Sequence, residues 1–369
     1  MSFSELAAAI HASDDKARAL DLGLPVWVYG TGSFGRAAAA ALRAKGAQVS
    51  GFVATKPAAE SCDGLPILPI ATGPQALGPG AQVAVGIFNR ETSYGDIESI
   101  GRAAGIERLF WPFDYYPQVE DHMGWRFWLG SSEIAKGEID RIRQAYEMLS
   151  DERSRTLFSR IIRFRAGQDF GYAAHMDPEE QYFCDLTLPH LANRAFCYVD
   201  CGAFDGDSYV ALNRHVPVAD AYLFEPDTRN YAALVANVRG FSGAAKCLPL
   251  AVAGTYEILS FSGEGEGGVV DRGGTTRIAT VKLDDMLSNT RVDLLKLDIE
   301  GSEAMALKGA SRLIAEDRPI ICASLYHKPQ DVWDLLLLIA GIVDDYDYYI
   351  RQHMFNTFES VLYAIPRRR

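Results

Sequence analysis

Two stretches of this chain run from a β-rich segment through a glycine turn into a helix-forming segment, and this pattern sets the fold class. The first is 25-PVWVYGTGSFGRAAAAALRAKGAQVSGFVATK-56, which closes with a second strand; the second begins at 198-YVDCGAFDGDSYVAL-212. A strand that turns through glycine into a helix and returns as a strand is a βαβ unit. Such units build parallel sheets whose ligands bind beyond the carboxyl ends of the strands. Both stretches therefore predict α/β architecture, and the 369 residues are enough for two such domains.

The remaining pattern divides the chain. Residues 1–125 are predicted to form a small Rossmann-like domain, starting with a short helix over residues 3–20 and including strand candidates 25–29, 49–56 and 82–88 and a helix over 97–104. Residues 126–190 read as a helical connector: Ile134, Ile139, Ile142, Tyr146 and Leu149 keep near-helical spacing between charged residues. Residues 191–369 alternate strands and helices again. Strand candidates lie at 196–200, 220–226, 246–253, 292–298, 319–326, 346–352 and 360–366, and the last two are close enough to pair antiparallel.

Composition excludes several classes. A formal net charge of -12 lacks the basic face that a nucleic acid or an anionic membrane requires. Cysteines 62, 184, 197, 201, 247 and 322 include no CxxC pair, so neither a zinc site nor a disulfide framework is predicted. The N-terminal MSFSELAAAIHASDD lacks a signal peptide's basic start, and 335-LLLLIAGIV-343 is too short to span a bilayer. These features point to a cytoplasmic protein. The terminal Arg367, Arg368 and Arg369 read as a solvated end.

The two glycine loops differ in chemistry. Gly202 and Gly206 follow GxxxG spacing, and Asp200, Asp205 and Asp207 surround them. Pyrophosphate would be repelled there, whereas a phosphate-free ligand with a cationic centre would not. S-adenosylmethionine meets that description: its carboxylate suits the helix N-terminus, and Asp200 or Asp207 can offset its ammonium. Glu225, at the end of the second strand in 222-YLFEPD-227 and 23 residues beyond Gly202, is placed to take both ribose hydroxyls. In 293-DLLKLDIEGSEAMALKGA-310, Asp298, Glu300 and Glu303 gather where the fourth strand meets its helix. Lys296 lies on that same strand, where a buried charge is costly without a use.

The segments YVDCGAFDGDS, FEPD, VKLDDML, LLKLDIEGSEAMALKGA and SVLYAIP resemble the FkbM family of S-adenosylmethionine-dependent methyltransferases over residues 180–366, about half of the chain. The resemblance implies a class I methyltransferase fold, a seven-stranded sheet with one antiparallel strand. It also implies O-methylation, commonly of sugar hydroxyls in glycolipids, polysaccharides or glycosylated natural products. By position, Asp200, Gly202, Ala203, Gly206, Ser208 and Glu225 would hold the cofactor, and Asp298 and Glu300 would face the transfer site. The stretch Gln181, Tyr182 and Phe183 would close over the cofactor.

A sugar hydroxyl needs a base, or a metal that lowers its pKa. His327, in 324-SLYHKPQDVW-333, falls at the same sheet edge as Asp298 and Glu300 and is the candidate general base. The same three residues also suit Mg²⁺ or Mn²⁺. Arg351 and His353, on a late strand, either touch the acceptor or form a solvated hairpin face. The aromatic run 110-FWPFDYY-116, with Trp125 and Trp128, reads as interdomain core before it reads as a sugar platform.

The first loop, with Gly30, Gly32 and Gly35, matches GxGxxG and carries Arg36 but no acid. The strand that follows ends at Lys56, without a ribose-binding acid. A nucleotide site, presentation of a nucleotide-linked sugar, and homo-oligomer formation stay open for this domain. Two alternatives to methyl transfer follow: an NAD(P)-dependent nucleotide-sugar oxidoreductase using this loop, and an inactive methyltransferase-fold binding protein.

Overall fold

The computed structural model describes residues 2–12, 19–241, 244–262, 269–270 and 276–367. Part of the first predicted helix and the last two arginines therefore fall outside the described residues; the helix spans Phe3–Ala12. The chain forms two compact units. Unit 1 comprises Met1–Ile139, Thr156–Asp177 and Met354–Phe358, and unit 2 comprises Asp140–Arg155, Pro178–His353 and Glu359–Arg369. Helices Ser131–Gly137, Ile139–Met148 and Glu152–Arg165, in the segment read as a connector, are divided between them.

Unit 1 is built on six strands: β1 (Val26–Tyr29), β2 (Val49–Ala54), β3 (Ser61–Cys62), β4 (Leu65–Pro69), β5 (Gln82–Val85) and β6 (Leu109–Phe110). Their order is β3-β4-β2-β1-β5-β6, parallel except for the β3–β4 pair. The order reverses beside β1, so the first glycine loop sits at a topological switch point. The alanine-rich helix Ser33–Ala44 buries Gly35, Ala38, Ala39 and Ala41, which have little side-chain bulk, together with Leu42. At Gly35 even a Cβ would overlap the Gly30 carbonyl oxygen.

The aromatic run enters unit 1 as the start of helix Pro112–Met123, with proline at its first position and the Trp111 N–H donating to Asp114 Oδ2 at 2.8 Å. Trp111, Tyr115, Tyr116 and Trp128 are buried, and Trp111 stacks on Tyr94 with centroids 4.7 Å apart. These rings are core of unit 1 rather than a sugar platform. Residues 354–358 complete that core: Phe358 meets Phe88 at 5.1 Å, and the Asn356 side chain accepts from Tyr94 N while donating to Asn89 O and Thr92 O. Asn356 is fully buried at φ 56°, a conformation asparagine tolerates better than most residues. Asn356→Ala strands those buried backbone groups and should lower unfolding free energy by about 2–3 kcal/mol in urea titration.

Unit 2 contains β7 (Cys197–Cys201), β8 (Asp220–Phe224), β9 (Ala244–Leu248), β10 (Ala251–Val252), β11 (Ile258–Ser262), β12 (Val269–Val270), β13 (Thr276–Val281), β14 (Leu294–Leu297), β15 (Ile320–Ser324), β16 (Tyr346–Gln352) and β17 (Ser360–Pro366). The main sheet has seven strands in the order β16-β17-β15-β14-β7-β8-β9, and β17 runs antiparallel to both of its neighbours. This is the class I methyltransferase fold. Strands β14 and β15 are buried along their whole length, as parallel strands covered on both faces must be.

One expectation needs correction. Residues 246–253 are not one strand but β9 and β10, which belong to different sheets. Pro249 lies between them and has no N–H to continue a ladder. The smaller sheet, β10-β13-β11-β12, was not foreseen in the sequence. All six cysteines are unbridged, and the apolar run at 335–343 is a buried helix, Asp331–Ile342. No helix among the described residues is long and apolar enough to cross a membrane.

Candidate methyl-transfer site

The site candidates of unit 2 collect at the carboxyl ends of β7, β8, β14 and β15. β7 ends in a turn whose first two amides, Gly202 N and Ala203 N, both donate to Phe224 O, at 3.0 and 2.9 Å. This ties the loop to the end of β8. Gly202 has φ 85°, and a Cβ there would lie inside the Asp298 carbonyl oxygen, so only glycine lets the loop cross the end of β14. Gly206 then caps helix Asp207–His215.

Asp200 does not face the loop's open side. It is fully buried, and both of its oxygens are engaged: Lys296 Nζ donates to Oδ1 at 2.8 Å, while Tyr198 OH and Ser208 Oγ each donate to Oδ2 at 2.8 Å. Lys296 is the register partner of Asp200 on the adjacent strand, and its Nζ also donates to Gly202 O at 2.8 Å. Burial pushes the Asp200 pKa up against the pull of Lys296, and the net direction is upward. Lys296 itself is shifted upward, because the charges of Asp200 and Asp298 outweigh its burial. The use for a buried charge on β14 is thus internal. Asp200, Ser208 and Lys296 form a clamp that shapes the loop, and Asp200 is not placed to meet a ligand's ammonium. Ala203 is buried as well.

Glu225 is held where the sequence placed it. Oε2 accepts from Phe204 N at 3.0 Å and Oε1 from Asp227 N at 2.8 Å, which fixes the carboxylate while each oxygen keeps further acceptor capacity. Burial raises its pKa to about 7. A cleft of about 620 Å³ flanks the loop, lined by Tyr182, Phe183, Asp205, Asp207, Ser208 and Arg214 among others. Glu225 and Asp298 do not line it, so it follows the helix side of the loop rather than the end of β8.

At the end of β14, Asp298 accepts from Tyr182 OH on Oδ2 at 2.9 Å and from Tyr326 OH on Oδ1 at 3.1 Å. Tyr182 thereby joins the cleft to Asp298. His327 is fully buried, with Nδ1 at 2.8 Å from Glu303 Oε1. Its Nε2 lies 3.5 Å from Asp298 Oδ1 and 3.6 Å from Glu300 Oε2. Glu303 Oε1 also accepts from Ile299 N at 2.9 Å. The sequence grouped Glu303 with Asp298 and Glu300 but gave it no role of its own; its place at the start of helix Glu303–Lys308, just past the end of β14, was the available signal.

The charges respond as a group. Burial opposes a charged imidazole, but Glu303, Glu300 and Asp298 carry the His327 pKa up to about 10. Burial works against ionised Asp298 too, yet the charges of His327 and Lys296 hold it below its usual value. Burial, helped by Asp298, Glu303 and Glu359, lifts Glu300 to about 8. The expectation that His327 is the general base therefore needs correction: in this arrangement it is inaccessible and already carries its proton. The partly exposed groups are Asp298 at 23% and Glu300 at 25%.

Arg351 and His353 are likewise neither solvated nor open to an acceptor. Arg351 is buried against Asp151 at 2.9 Å and Ser154 at 3.0 Å, and His353 against Tyr363 OH at 2.9 Å.

Residues 200–361 match the family described as Methyltransferase FkbM domain. The family match is thus confined to residues 200–361, which read as an FkbM methyltransferase domain. No curated protein matches the sequence. Among solved structures, the chain is similar to the crystal structure of methyltransferase FkbM from Methylobacillus flagellatus KT, with a TM-score of 0.71 over 98% of both chains and 20% identity. At that identity the likeness speaks to the fold. The FkbM domain match begins at Asp200 and ends on β17, so it takes in the loop, Glu225 and the whole Asp298–His327 cluster.

Proposed function

We propose that the chain is an S-adenosylmethionine-dependent O-methyltransferase that acts on a hydroxyl of a sugar, glycoconjugate or glycosylated small molecule. The observation that carries the cofactor assignment is the donor set: a fixed carboxylate acceptor at the end of β8 beside a loop whose helix opens on the exposed Asp207. Such a set fits a vicinal diol and a cationic centre. Glu225 would take the ribose hydroxyls, Asp207 the ammonium, and the N-terminal turn of helix Asp207–His215 the carboxylate. When bound, S-adenosylmethionine supplies an electrophilic methyl group.

The acceptor assignment rests on Asp298 and Glu300. They are partly exposed carboxyl groups at the sheet edge: Asp298, held below its usual pKa, is suited to accept a hydrogen bond from a hydroxyl and orient it, and Glu300, at about 8, does so once ionised. Tyr182 and Tyr326 position Asp298, and Glu303 holds His327 behind it. This favours a hydroxyl over a carboxylate acceptor, which the acids would repel.

Incubation with methyl-labelled S-adenosylmethionine and a panel of saccharides should put label into a base-stable ether. Label released by mild alkali would mean carboxyl methylation and overturn the hydroxyl assignment. NADH or NADPH oxidation at 340 nm instead of methyl transfer would favour the oxidoreductase reading.

Glu225 also predicts a pH dependence. Its carboxyl, at about 7, must be ionised to accept both ribose hydroxyls. Affinity for S-adenosylhomocysteine should hold steady above that pH and fall as pH drops through it, by up to about tenfold between pH 8 and pH 6. Glu225→Gln should bind more weakly and lose the dependence, as isothermal titration across that range would show.

A further inference from the structure

We infer that the Asp298–Glu300–His327 cluster is a site for one divalent transition-metal cation, with Mn²⁺ the best match. The inference deepens the proposed function by naming what activates the acceptor, but the site is argued from its own geometry. Among the described residues, Asp298, Glu303 and His327 offer donor atoms that all lie within 4.8 Å of one another. Glu303 is the orienting member of that trio. Its Oε1 contacts His327 Nδ1 at 2.8 Å and accepts from Ile299 N, so it fixes the ring as a carboxylate does behind a metal-bound histidine. The opposite nitrogen, Nε2, is directed between Asp298 Oδ1 at 3.5 Å and Glu300 Oε2 at 3.6 Å. Those gaps are wider than a hydrogen bond and close to the separation of neighbouring ligand atoms around a small cation.

A second observation points the same way. Glu303 is fully buried and directed at the His327 ring, yet its Oε2 has no hydrogen-bond partner, and Glu300 Oε2 also lacks one. Three carboxylates thus converge on one imidazole, while the nearby Lys296 is already paired with Asp200 at 2.8 Å. A metal ion bound at Nε2 would take the place of the proton that His327 otherwise carries, and the carboxylates would offset its charge. Two carboxylate oxygens and one imidazole nitrogen make a mixed set that suits Mn²⁺ better than Mg²⁺, which favours oxygen alone. An acceptor hydroxyl completing the shell would become more acidic.

The test needs neither S-adenosylmethionine nor an acceptor, so it can fail separately from the methyl-transfer reading. Full-length protein dialysed against EDTA is titrated with Mn²⁺ alone, followed by electron paramagnetic resonance and spin-echo modulation. The expected result is one saturable Mn²⁺ per chain with nitrogen modulation from an imidazole. Glu300→Gln, a partly exposed position, should weaken binding at least tenfold with unchanged thermal unfolding; His327→Gln should abolish the nitrogen signal. Absence of saturable binding at millimolar Mn²⁺ would overturn the inference. So would affinity and nitrogen modulation unchanged in Glu300→Gln and His327→Gln.

Discussion

Replacing Lys296 with methionine is expected to destabilise unit 2 by about 3–5 kcal/mol, the usual effect of removing one partner from a buried ion pair. The side chains of Lys296 and Asp200 are 5% and 0% exposed, so water cannot take the place of the lost ammonium. The same change removes the donor to Gly202 O, which ties the strand to the loop. Loop geometry should therefore suffer along with stability. The double variant Lys296→Met/Asp200→Asn should recover much of the loss, because the amide is neutral and can still meet Tyr198 and Ser208. Urea unfolding of the two single variants and the double variant measures the coupling. A single-variant loss below about 1 kcal/mol would show that the pair does not hold the loop.

Gly202→Ala is expected to be comparably damaging for a different reason. Alanine at φ 85° is strained, and its Cβ would collide with the Asp298 carbonyl, which is backbone and cannot swing away. The result should be a loss of about 4 kcal/mol or more, or a displaced loop with at least a hundredfold weaker binding of S-adenosylhomocysteine. Gly240→Ala is the control, since a Cβ there meets nothing within 4 Å. Denaturation midpoints and calorimetric affinities on the two variants separate strain from general sensitivity to alanine. Equal behaviour of the two variants would contradict the close-approach argument.

These two cases show what the sequence made legible and what it hid. The glycine loop and the position of Glu225 were readable because each depends on local spacing, a strand, a turn and an acid at a fixed remove, whereas the order of the seven strands came only with the structure. Lys296 was read as a sign of function because a charge on a buried strand looks anomalous along the chain. Its explanation lies across the sheet, at Asp200, 96 residues away. His327 was drawn correctly to the edge of the sheet, but its burial depends on packing that spacing does not encode, and Glu303 emerged as its partner only in three dimensions. Asn356 was hidden for the same reason: its three bonds go to residues 89, 92 and 94, more than 260 positions earlier. The division between β9 and β10 was locally visible at Pro249, a signal that the apolar character of 246–253 masked.

The central claim is that the FkbM domain binds an adenosyl ligand through Glu225 and the loop at Gly202. Calorimetric titration of S-adenosylhomocysteine into the intact chain and into Glu225→Ala tests it most directly. The account predicts one site per chain in the wild type and at least a hundredfold weaker binding in the variant, with the fold of both preserved. Wild-type protein that binds no ligand, or a variant that binds as tightly as wild type, would contradict it.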